Sequence, residues 1–526
     1  MFKQIGRFIL PADVELRKRR LELLVWSFLL SLAFYPQYFG FIAWFALVRP
    51  LMIISSLKGR KAFNAAYFFS FFFNLFSLYW IAKVTFPGMI TAVVIVAFYY
   101  TVVLVAFNRI YRFKAIYSLV LLPFLWVGME YFRSLSQFSF PWSDLGYTQS
   151  YYLYIIQIVS ITSVHGLSFL IVVVNVLLWQ VFRKNLLPER RLTSFLFSLV
   201  IIFGLWAYGW IEVPKYPLPG KVEIALMQGS VPIEVKWAKG NLYHSLHLYD
   251  SLTQSVAKDS SLKLYVWPET AAPCYLTNNY SCRWEVGNIV RKSKSYHLVG
   301  AQAVDMINNK PHYYNSCFQF NPQGKIEQRY NKVKLVPFSE HVPYQDYLPF
   351  LDRKYLSKYL TFINKPDVQW WSDFYPGDSM VVFHLPEYNY AVLICFESAF
   401  PEYARQAIRK GADFLVGITN DTWFGRSVGI SMHARIFLMR AVENRCWSAR
   451  LGNSGITYIV DGYGRIREKL KPYDVAVLKG KLRPIENFSI FTKYGDVIGF
   501  YSFLITISIL GILILLWLLQ KLFLKK

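Results

Sequence analysis

Charged residues are scarce in this chain of 526 residues. They make up 17% of it, whereas an ordinary soluble domain has about 25%. Hydrophobic residues reach 55%, and the mean hydropathy is +0.29. This composition excludes an ordinary soluble protein over the whole length and indicates that part of the chain lies in lipid. We expect no cleavable signal peptide, because the first apolar run leads into another without a small-residue cleavage site.

Cysteine is also rare. The five cysteines form no CxxC pair and show no His/Cys spacing of a metal site, so we expect neither a metal nor a cofactor. They are Cys274, Cys282, Cys317, Cys395 and Cys446.

Acidic residues are few, and the 57 basic residues leave a net charge of +25. Such an excess raises nucleic acid as a partner. Many of these basic residues, however, stand in short clusters between apolar runs, where membrane topology explains them better. We therefore expect a membrane as the partner and no nucleic acid.

Eight apolar runs approach the length of about 20 residues that a membrane-spanning helix needs. Seven lie in residues 1–211, which predicts an N-terminal transmembrane domain, and the eighth predicts a C-terminal helix. The first and sixth are short, and an Arg-Pro pair at 49–50 interrupts the second. The runs cover roughly 21–36, 38–57, 63–82, 88–107, 115–132, 167–182, 192–211 and 499–520.

Basic clusters alternate along the loops between these runs. They occur before the first run and at 58–61, 109–114 and 183–191, and the intervening loops are poor in Lys and Arg. Basic loops face the cytoplasm, so seven spans predict that the segment after them lies on the outer face. A count wrong by one span would place that segment in the cytoplasm.

Residues 221–483 have a different pattern, in which short β-rich runs alternate with helical stretches. Several runs are continuously apolar, as in strands buried on both faces of a sheet. The apolar spacing of 433–450 predicts a helix. A layered α/β domain with helices over a sheet follows. The predicted strands are 222–228, 262–269, 296–304, 312–320, 380–385, 390–397 and 412–419.

Three segments of this domain carry acid–base or nucleophilic groups. Glu269 lies in WPET, which follows the strand-like run LKLYV, Lys332 lies in YNKVKLVPFSE, and Cys395 follows YAVLI. Catalytic groups of α/β sheets gather at the carboxyl ends of strands. A thiol, a carboxylate that takes its proton and an ammonium that stabilises an oxyanion suffice for acyl transfer. Taken singly, each also fits a structural role, and a buried Cys is usually a small core residue.

In this order and spacing, the three segments resemble the Glu–Lys–Cys triad of the nitrilase (carbon–nitrogen hydrolase) superfamily. Nearly the whole chain is similar to the apolipoprotein N-acyltransferase family. The resemblance implies a multi-span α-helical membrane domain plus an α/β nitrilase-like domain, a layered α-β-β-α sandwich. The similar segments are FPWSDLGYTQS, MQGSVPIEVKW, YNKVKLVPFSEHVP, ICFE, GITNDTWFG, HARIFLMRAVENR, NSGITYIVDGYGRI and FTKYGD.

The resemblance also implies roles for individual residues. It makes Glu269 the general base, Lys332 the ammonium beside the oxyanion and Cys395 the nucleophile. Lys334 stands where His is common. The implied supporting or substrate-binding residues are Trp237, Glu340, Phe396 and Glu397. The chain departs from the family at Phe396, where Tyr is usual, and at Ser230 and Ser339, where Asn and Gly are usual.

The implied activity is N-acylation of diacylglyceryl apolipoproteins from a phospholipid donor, phosphatidylethanolamine above all, through a cysteine thioester. It implies a monomer in the bacterial inner membrane with a periplasmic catalytic domain. One alternative is a membrane-tethered nitrilase-type amidase with water as acceptor, for which seven spans are excessive. Another is a transporter or scaffold. Few ionisable residues lie inside the predicted spans, where transport pathways usually need them, which counts against this alternative.

Cys274 and Cys282 are candidates for a disulfide bond, because disulfides persist in the periplasm and the two lie in one short segment. The alternative is that Cys274 follows the WPET segment closely and packs beside the active site.

Overall fold

The structure is a computed structural model that describes residues 13–36, 38–183, 186–236, 240–345, 347–348, 350 and 373–523. The chain divides into two compact units. The first comprises Met1–Ser136, Phe140–Val213 and Asp496–Lys526, and the second comprises Gln137–Ser139 and Pro214–Gly495.

The first unit is helical. Its long apolar runs form helices. Each helix satisfies its own backbone hydrogen bonds, as a segment in lipid must. The α-helices before the second unit are α1 (Val14–Leu32), α2 (Val48–Ser56), α3 (Gly59–Leu78), α4 (Phe86–Phe113), α5 (Ala115–Leu135), α6 (Val159–Val181) and α7 (Pro188–Glu212). The C-terminal helix, Val497–Phe523, also belongs to this unit.

Seven segments in the described part of the chain are long and apolar enough to cross a membrane. They are Phe39–Ser56, Gly59–Lys83, Phe86–Phe113, Ala115–Leu135, Ile155–Val181, Pro188–Glu212 and Val497–Leu522.

The predicted spans differ from these segments at three places. The run at 21–36 belongs to α1, which begins at Val14 and whose charged N-terminal half keeps it outside the set. The second run is a 3₁₀ turn at Phe39–Trp44 followed by α2. Pro50 fits in the first turn of α2, where its missing N–H is not needed. The sixth run begins earlier than predicted, at Ile155.

Charged side chains that lie between the predicted spans are buried inside the first unit. Arg133 pairs with Asp144, and His165 pairs with Asp496. His165 also lies 3.7 Å from Asp144. Glu130, which precedes Arg133 on α5, is fully buried as well. Buried charges are stable only when paired, so these residues tie α5, α6 and the start of the C-terminal helix together.

The second unit contains two sheets in its described residues. The order of the first sheet is β13-β1-β2-β4-β5-β6, with β3 paired to β4, and that of the second is β12-β11-β10-β9-β8-β7. The strands are β1 (Val222–Gln228), β2 (Leu264–Val266), β3 (Ala272–Tyr275), β4 (Tyr296–Ile307), β5 (Lys310–Phe320), β6 (Ile326–Asn331), β7 (Val382–His384), β8 (Asn389–Ile394), β9 (Phe414–Thr419), β10 (Ser448–Gly452), β11 (Tyr458–Val460), β12 (Ile466–Lys469) and β13 (Ala476–Leu482).

Helices cover the outer face of each sheet. On the first sheet, α9 and α10 pack over an apolar cluster that includes Tyr249, Trp267 and Val286. On the second, α11 and α12 pack against β8, β9 and β10. The two sheets contact each other through β1 and β10, so the expected α-β-β-α layering is confirmed. The helices are α8 (Ile233–Lys236), α9 (Asn241–Val256), α10 (Tyr280–Ser293), α11 (Pro401–Arg409), α12 (Val428–Asn444) and α13 (Ile490–Tyr494).

The helix predicted at 433–450 is wrong at both ends. It begins at Val428, where the Ser427 side chain caps it, and it ends at Asn444. Arg445 then takes a left-handed conformation with a φ of 52°. Helices commonly end with such a residue, and the chain continues into β10.

Candidate active site

The three predicted catalytic residues follow strand ends in the second unit. Glu269 follows β2, Lys332 follows β6, and Cys395 directly follows β8. The Lys332 ammonium lies 3.7 Å from Glu269 Oε1, and the charges of both groups act on the Cys395 thiol. The structure therefore brings these three residues together at one site.

Lys332 is buried between two carboxylates. Its Nζ atom lies 2.8 Å from Glu340 Oε2. The Asn315 side-chain amide bridges the carboxylates by donating to Glu269 Oε1 at 2.7 Å and to Glu340 Oε1 at 3.0 Å. Burial lowers the pKa of Lys332, but Glu340 and Glu269 outweigh it, so the pKa stands above its usual value. Lys332 is therefore a fixed positive charge at neutral pH.

Glu269 is held by both carboxylate oxygens. Its Oε2 atom accepts a hydrogen bond from the backbone N–H of Asn420 at 2.8 Å, while Oε1 binds Asn315. Asn420 follows β9, the strand beside β8. A carboxylate fixed in this way can accept a proton without first rotating into place.

Cys395 takes a left-handed backbone conformation, with a φ of 51°. Such conformations are rare outside glycine and cluster at functional sites. Burial raises the pKa of the thiol, and the Glu269 charge raises it further, while Lys332 and a hydrogen bond with Thr419 oppose the shift. The net shift is upward. The resting group is therefore a thiol, and a base has to remove its proton as it attacks.

Glu397 joins the lysine segment to the cysteine strand. Its Oε1 atom accepts from the Tyr330 hydroxyl at 2.6 Å and from the backbone N–H of Val333 at 2.7 Å and of Lys334 at 3.2 Å. Its Oε2 atom accepts from the Ile394 N–H at 2.7 Å. Burial raises its pKa to about 7. Because its two oxygens accept four hydrogen bonds, Glu397 fixes the backbone of the lysine segment and of the cysteine strand and is unsuited to proton transfer at the thiol.

Phe396 and Lys334 both pack against the Phe400 ring. Phe396 is buried and packs edge-on against Phe400, with ring centroids 5.1 Å apart. The Lys334 ammonium lies 5.0 Å over the same Phe400 ring, and burial lowers its pKa to about 8. Trp237 lies outside the described residues.

A buried polar group behind Cys395 was not assigned from sequence. His433 Nε2 lies 3.1 Å from the Cys395 carbonyl oxygen, and His433 Nδ1 lies 2.8 Å from Asp421 Oδ1. Arg450 donates to Asp421 Oδ2 at 2.7 Å, and all three side chains are buried. Their only sequence signal was membership of segments shared with the family.

Cys274 on β3 and Cys282 on α10 form a disulfide bond. This confirms the candidate pair. Cys317, Cys395 and Cys446 are free. Among the residues that the structure describes, no three His, Cys, Asp or Glu side chains are grouped to hold a metal ion.

Two family models match the chain. Residues 27–177 match the apolipoprotein N-acyltransferase N-terminal domain, and residues 223–476 match the carbon–nitrogen hydrolase family. An apolipoprotein N-acyltransferase of Geobacter metallireducens is 34% identical over 484 residues, which cover 89% of this chain and 90% of the relative. That of Chlorobaculum tepidum is 29% identical, covering 87% and 89%.

Two solved structures are also similar to part of this chain. An amidase from Nesterenkonia sp. has a TM-score of 0.37 and 16% identity, covering 53% of this chain and 95% of the amidase. A nitrilase-superfamily protein of Saccharomyces cerevisiae has a TM-score of 0.37 and 19% identity, covering 52% and 93%.

Proposed function

This chain belongs to the apolipoprotein N-acyltransferase family, and we propose on that basis that it transfers an acyl chain from a phospholipid to the N-terminal amine of diacylglyceryl apolipoproteins. The observation that carries the proposal is the grouping of Glu269, Lys332 and Cys395, the first two of them buried, in a chain whose described part has seven membrane-length apolar segments. The set supplies the chemistry, and the apolar segments give access to a lipid donor.

In the first half-reaction, Glu269 takes the proton of the Cys395 thiol as sulfur attacks an ester carbonyl of the donor. The electron pair moves to the carbonyl oxygen, and the Lys332 ammonium stabilises that oxyanion. Collapse of the tetrahedral intermediate expels the alkoxide of the lysophospholipid, which takes the proton from Glu269. The products are a thioester on Cys395 and a lysophospholipid. Phosphatidylethanolamine is the proposed donor.

In the second half-reaction, the α-amino group of the acceptor attacks the thioester carbonyl. Glu269 accepts a proton from the attacking amine, Lys332 again stabilises the oxyanion, and the thiolate leaves. The new bond is an amide, and proton return from Glu269 restores the Cys395 thiol. Donor and acceptor thus use the same three groups in turn.

The supporting residues act by position. Glu340 anchors Lys332 and shares Asn315 with Glu269. Glu397 fixes the backbone on either side of the reacting atoms, and Phe396 is proposed to pack beside the acyl chain without the hydroxyl that Tyr would add. Trp237 is proposed to contact substrate, as in the family that the chain resembles.

The proposed organisation is a transmembrane domain at 1–211, a periplasmic catalytic domain at 221–483 and a returning helix at 499–520, in the inner membrane of a bacterium and as a monomer. Two observations support the periplasmic side. Basic clusters alternate along the loops, and the catalytic domain carries a disulfide bond, which persists in oxidising compartments.

A membrane location suits the donor. Withdrawing an acyl chain from the bilayer costs about 0.8 kcal/mol per CH₂, so a phospholipid with two long chains stays in the membrane. An amidase acting on small soluble amides would use the same triad with water as acceptor, but a single anchor would serve it.

Mass spectrometry of the purified protein after incubation with phosphatidylethanolamine in detergent micelles tests the proposal. We expect an acyl adduct on the Cys395 peptide that disappears when a diacylglyceryl-cysteine peptide is added. Cys395→Ala should carry no adduct, and Cys446→Ala, at a buried cysteine outside the site, is the matched control that should retain it. An unmodified Cys395 together with hydrolysis of small amides would instead favour the amidase.

A further inference from the structure

A second buried lysine lies directly behind Glu269. Lys236 closes the four-residue helix α8, and only 1% of it is exposed. Its ammonium donates to the backbone carbonyl oxygen of Glu269 at 3.3 Å and to the Thr270 hydroxyl at 3.2 Å. Thr270 has a left-handed backbone with a φ of 49°. Lys236 therefore holds a strained turn next to the proposed general base.

Lys236 forms no ion pair within 4 Å among the described residues, and both of its hydrogen-bond acceptors are neutral. An ammonium removed from water without a partner charge is costly. A methionine or leucine at this position would fill the space at a lower cost. The position thus retains a charge that the local packing does not require.

The charges around Lys332 show what this second ammonium can offset. Glu269 and Glu340 both lie within 4 Å of Lys332, so these carboxylates outnumber it by one. The proton that leaves Cys395 for Glu269 keeps the site's total charge unchanged but moves negative charge onto sulfur. A further positive charge next to Glu269 brings the sum of the four groups to zero.

We propose that Lys236 is a positioning residue of this active site, which holds the Glu269 turn and whose positive charge offsets the excess negative charge during acylation of Cys395. The inference rests on the proposed function for the identity of the reaction. Its physical content is that the charge of Lys236, beyond its hydrogen bonds, determines the reactivity of the site.

Titration of Lys236 gives the proposal a measurable signature. Burial lowers the pKa of Lys236 to about 8, against the opposing effect of Glu269. Glu269 is the charged group that acts on Lys236, and Lys332 lies 3.7 Å from Glu269. The ammonium is fully present below pH 7 and is lost as the pH rises through about 8. Acylation should therefore decline on the alkaline side with the loss of one proton.

The test is single-turnover acylation of Cys395 by phospholipid between pH 6 and 10, without acceptor, on full-length protein in micelles. Lys236→Gln keeps an N–H donor but removes the charge. We expect it to lower the rate about tenfold at pH 7, the effect of a one-unit shift, and to abolish the alkaline decline near pH 8. Lys236→Arg keeps a charge that does not titrate, so its plateau should extend to higher pH.

Lys334→Met is the matched control, because Lys334 is another buried lysine with a pKa lowered to about 8 but lies over Phe400. It should leave the alkaline decline in place. A Lys236→Gln profile that keeps the decline, whatever its rate, would overturn the proposal and leave Lys236 a purely structural residue. Lys236→Met, an apolar replacement of similar length, supplies the same comparison if the Gln variant does not fold.

Alkylation of Cys395 by iodoacetamide, followed on the Cys395 peptide, separates this inference from the proposed function. It needs no lipid. Slower alkylation of Lys236→Gln than of the wild type at pH 7 supports the inference even if no acyl adduct forms, in which case only the proposed function fails. Equal alkylation rates in the two proteins contradict the inference even where acyl transfer is observed.

Discussion

At the scale of single residues, the two lysines of the YNKVKLVPFSE segment have different surroundings. Lys332 lies between Glu340 and Glu269, whereas Lys334 lies over an aromatic ring. We expect Lys332→Ala to slow acylation of Cys395 by at least about a hundredfold, because an ammonium aimed at an oxyanion contributes a few kcal/mol. Lys334→Ala should cost far less. Acyl-adduct formation measured by mass spectrometry distinguishes them, and a larger loss in Lys334→Ala would reverse the assignment.

Asp421 stabilises the buried group behind the nucleophile in a pH-dependent way. Burial raises its pKa, but Arg450 and His433 outweigh burial and hold the pKa well below its usual value. A lowered pKa gives stability that is present above the unfolded pKa of about 4 and is lost as the pH falls below it. Asp421→Asn should therefore cost about 3 kcal/mol at pH 7, where Arg450 is left unpaired.

The thermal midpoint in detergent, measured from pH 3 to pH 8, checks this expectation. The deficit of Asp421→Asn should be full between pH 6 and 8 and should shrink below about pH 4. Asp378→Asn, at an exposed position, is the control and should leave the midpoint unchanged. A deficit that grows as the pH falls would contradict the sign of the linkage.

Sequence alone indicated the residues that follow strands and belong to recognisable segments: Glu269, Lys332, Glu340, Cys395 and Glu397. It gave no signal for Asn315, and Lys236 was indicated only as a member of MQGSVPIEVKW, one of the segments similar to the family. Asn315 is 46 positions from Glu269 in the sequence, and Lys236 is 33 positions from Glu269. Neither residue belongs to a motif with known chemistry. Contacts between distant segments depend on the order of the strands in the sheets, which cannot be predicted from the residues of each segment alone.

For helices and strands, the pattern of apolar residues predicted that an element exists better than it predicted where the element begins and ends. The run at 222–228 is β1 itself, because it is bounded by proline and glycine on one side and by a glycine on the other. The run at 433–450 continues past the helix end without a proline or glycine, so periodicity could not detect the left-handed Arg445. The charged start of α1 likewise lies outside the apolar run at 21–36, which predicts the first span.

The disulfide joins β3 to α10 a few residues after Glu269. Its removal by the double change Cys274→Ala and Cys282→Ala should lower the free energy of unfolding by about 2 kcal/mol, as expected for a short closed loop. Thermal inactivation in detergent measures the loss. A reducing agent should lower the inactivation temperature of the wild type to that of the variant and should not affect the variant. Identical wild-type curves with and without reductant would contradict a stabilising bond.

Across the two units, burial and hydropathy indicate different surroundings: lipid for the C-terminal helix and water for the second unit. Only 11% of the most apolar window of the C-terminal helix is buried within the protein, so the exposed apolar surface of this helix suits lipid. The second unit instead buries its apolar side chains between and over two sheets. Burial of ionisable groups in the first unit was not predictable from runs of hydropathy, because Asp144 and Asp496 lie between the runs and not inside them.

The last prediction concerns the side of the membrane on which the second unit lies. Single cysteines introduced at two exposed positions report on opposite faces: Val475→Cys in the second unit, at a site 55% exposed, and Phe113→Cys beside a basic cluster, at a site 84% exposed. A membrane-impermeant maleimide applied to spheroplasts of a bacterial host should label Val475→Cys and leave Phe113→Cys unmodified, because basic loops stay in the cytoplasm.

Peptide mass spectrometry separates these probes from the native cysteines, of which Cys317 and Cys446 are buried. Permeabilised cells are the control, since both probes should then react. Labelling of Phe113→Cys alone in intact spheroplasts would place the second unit in the cytoplasm. That outcome would require one crossing more or fewer before residue 214. The helix Val14–Leu32, whose N-terminal half is charged, is the segment on which the count depends.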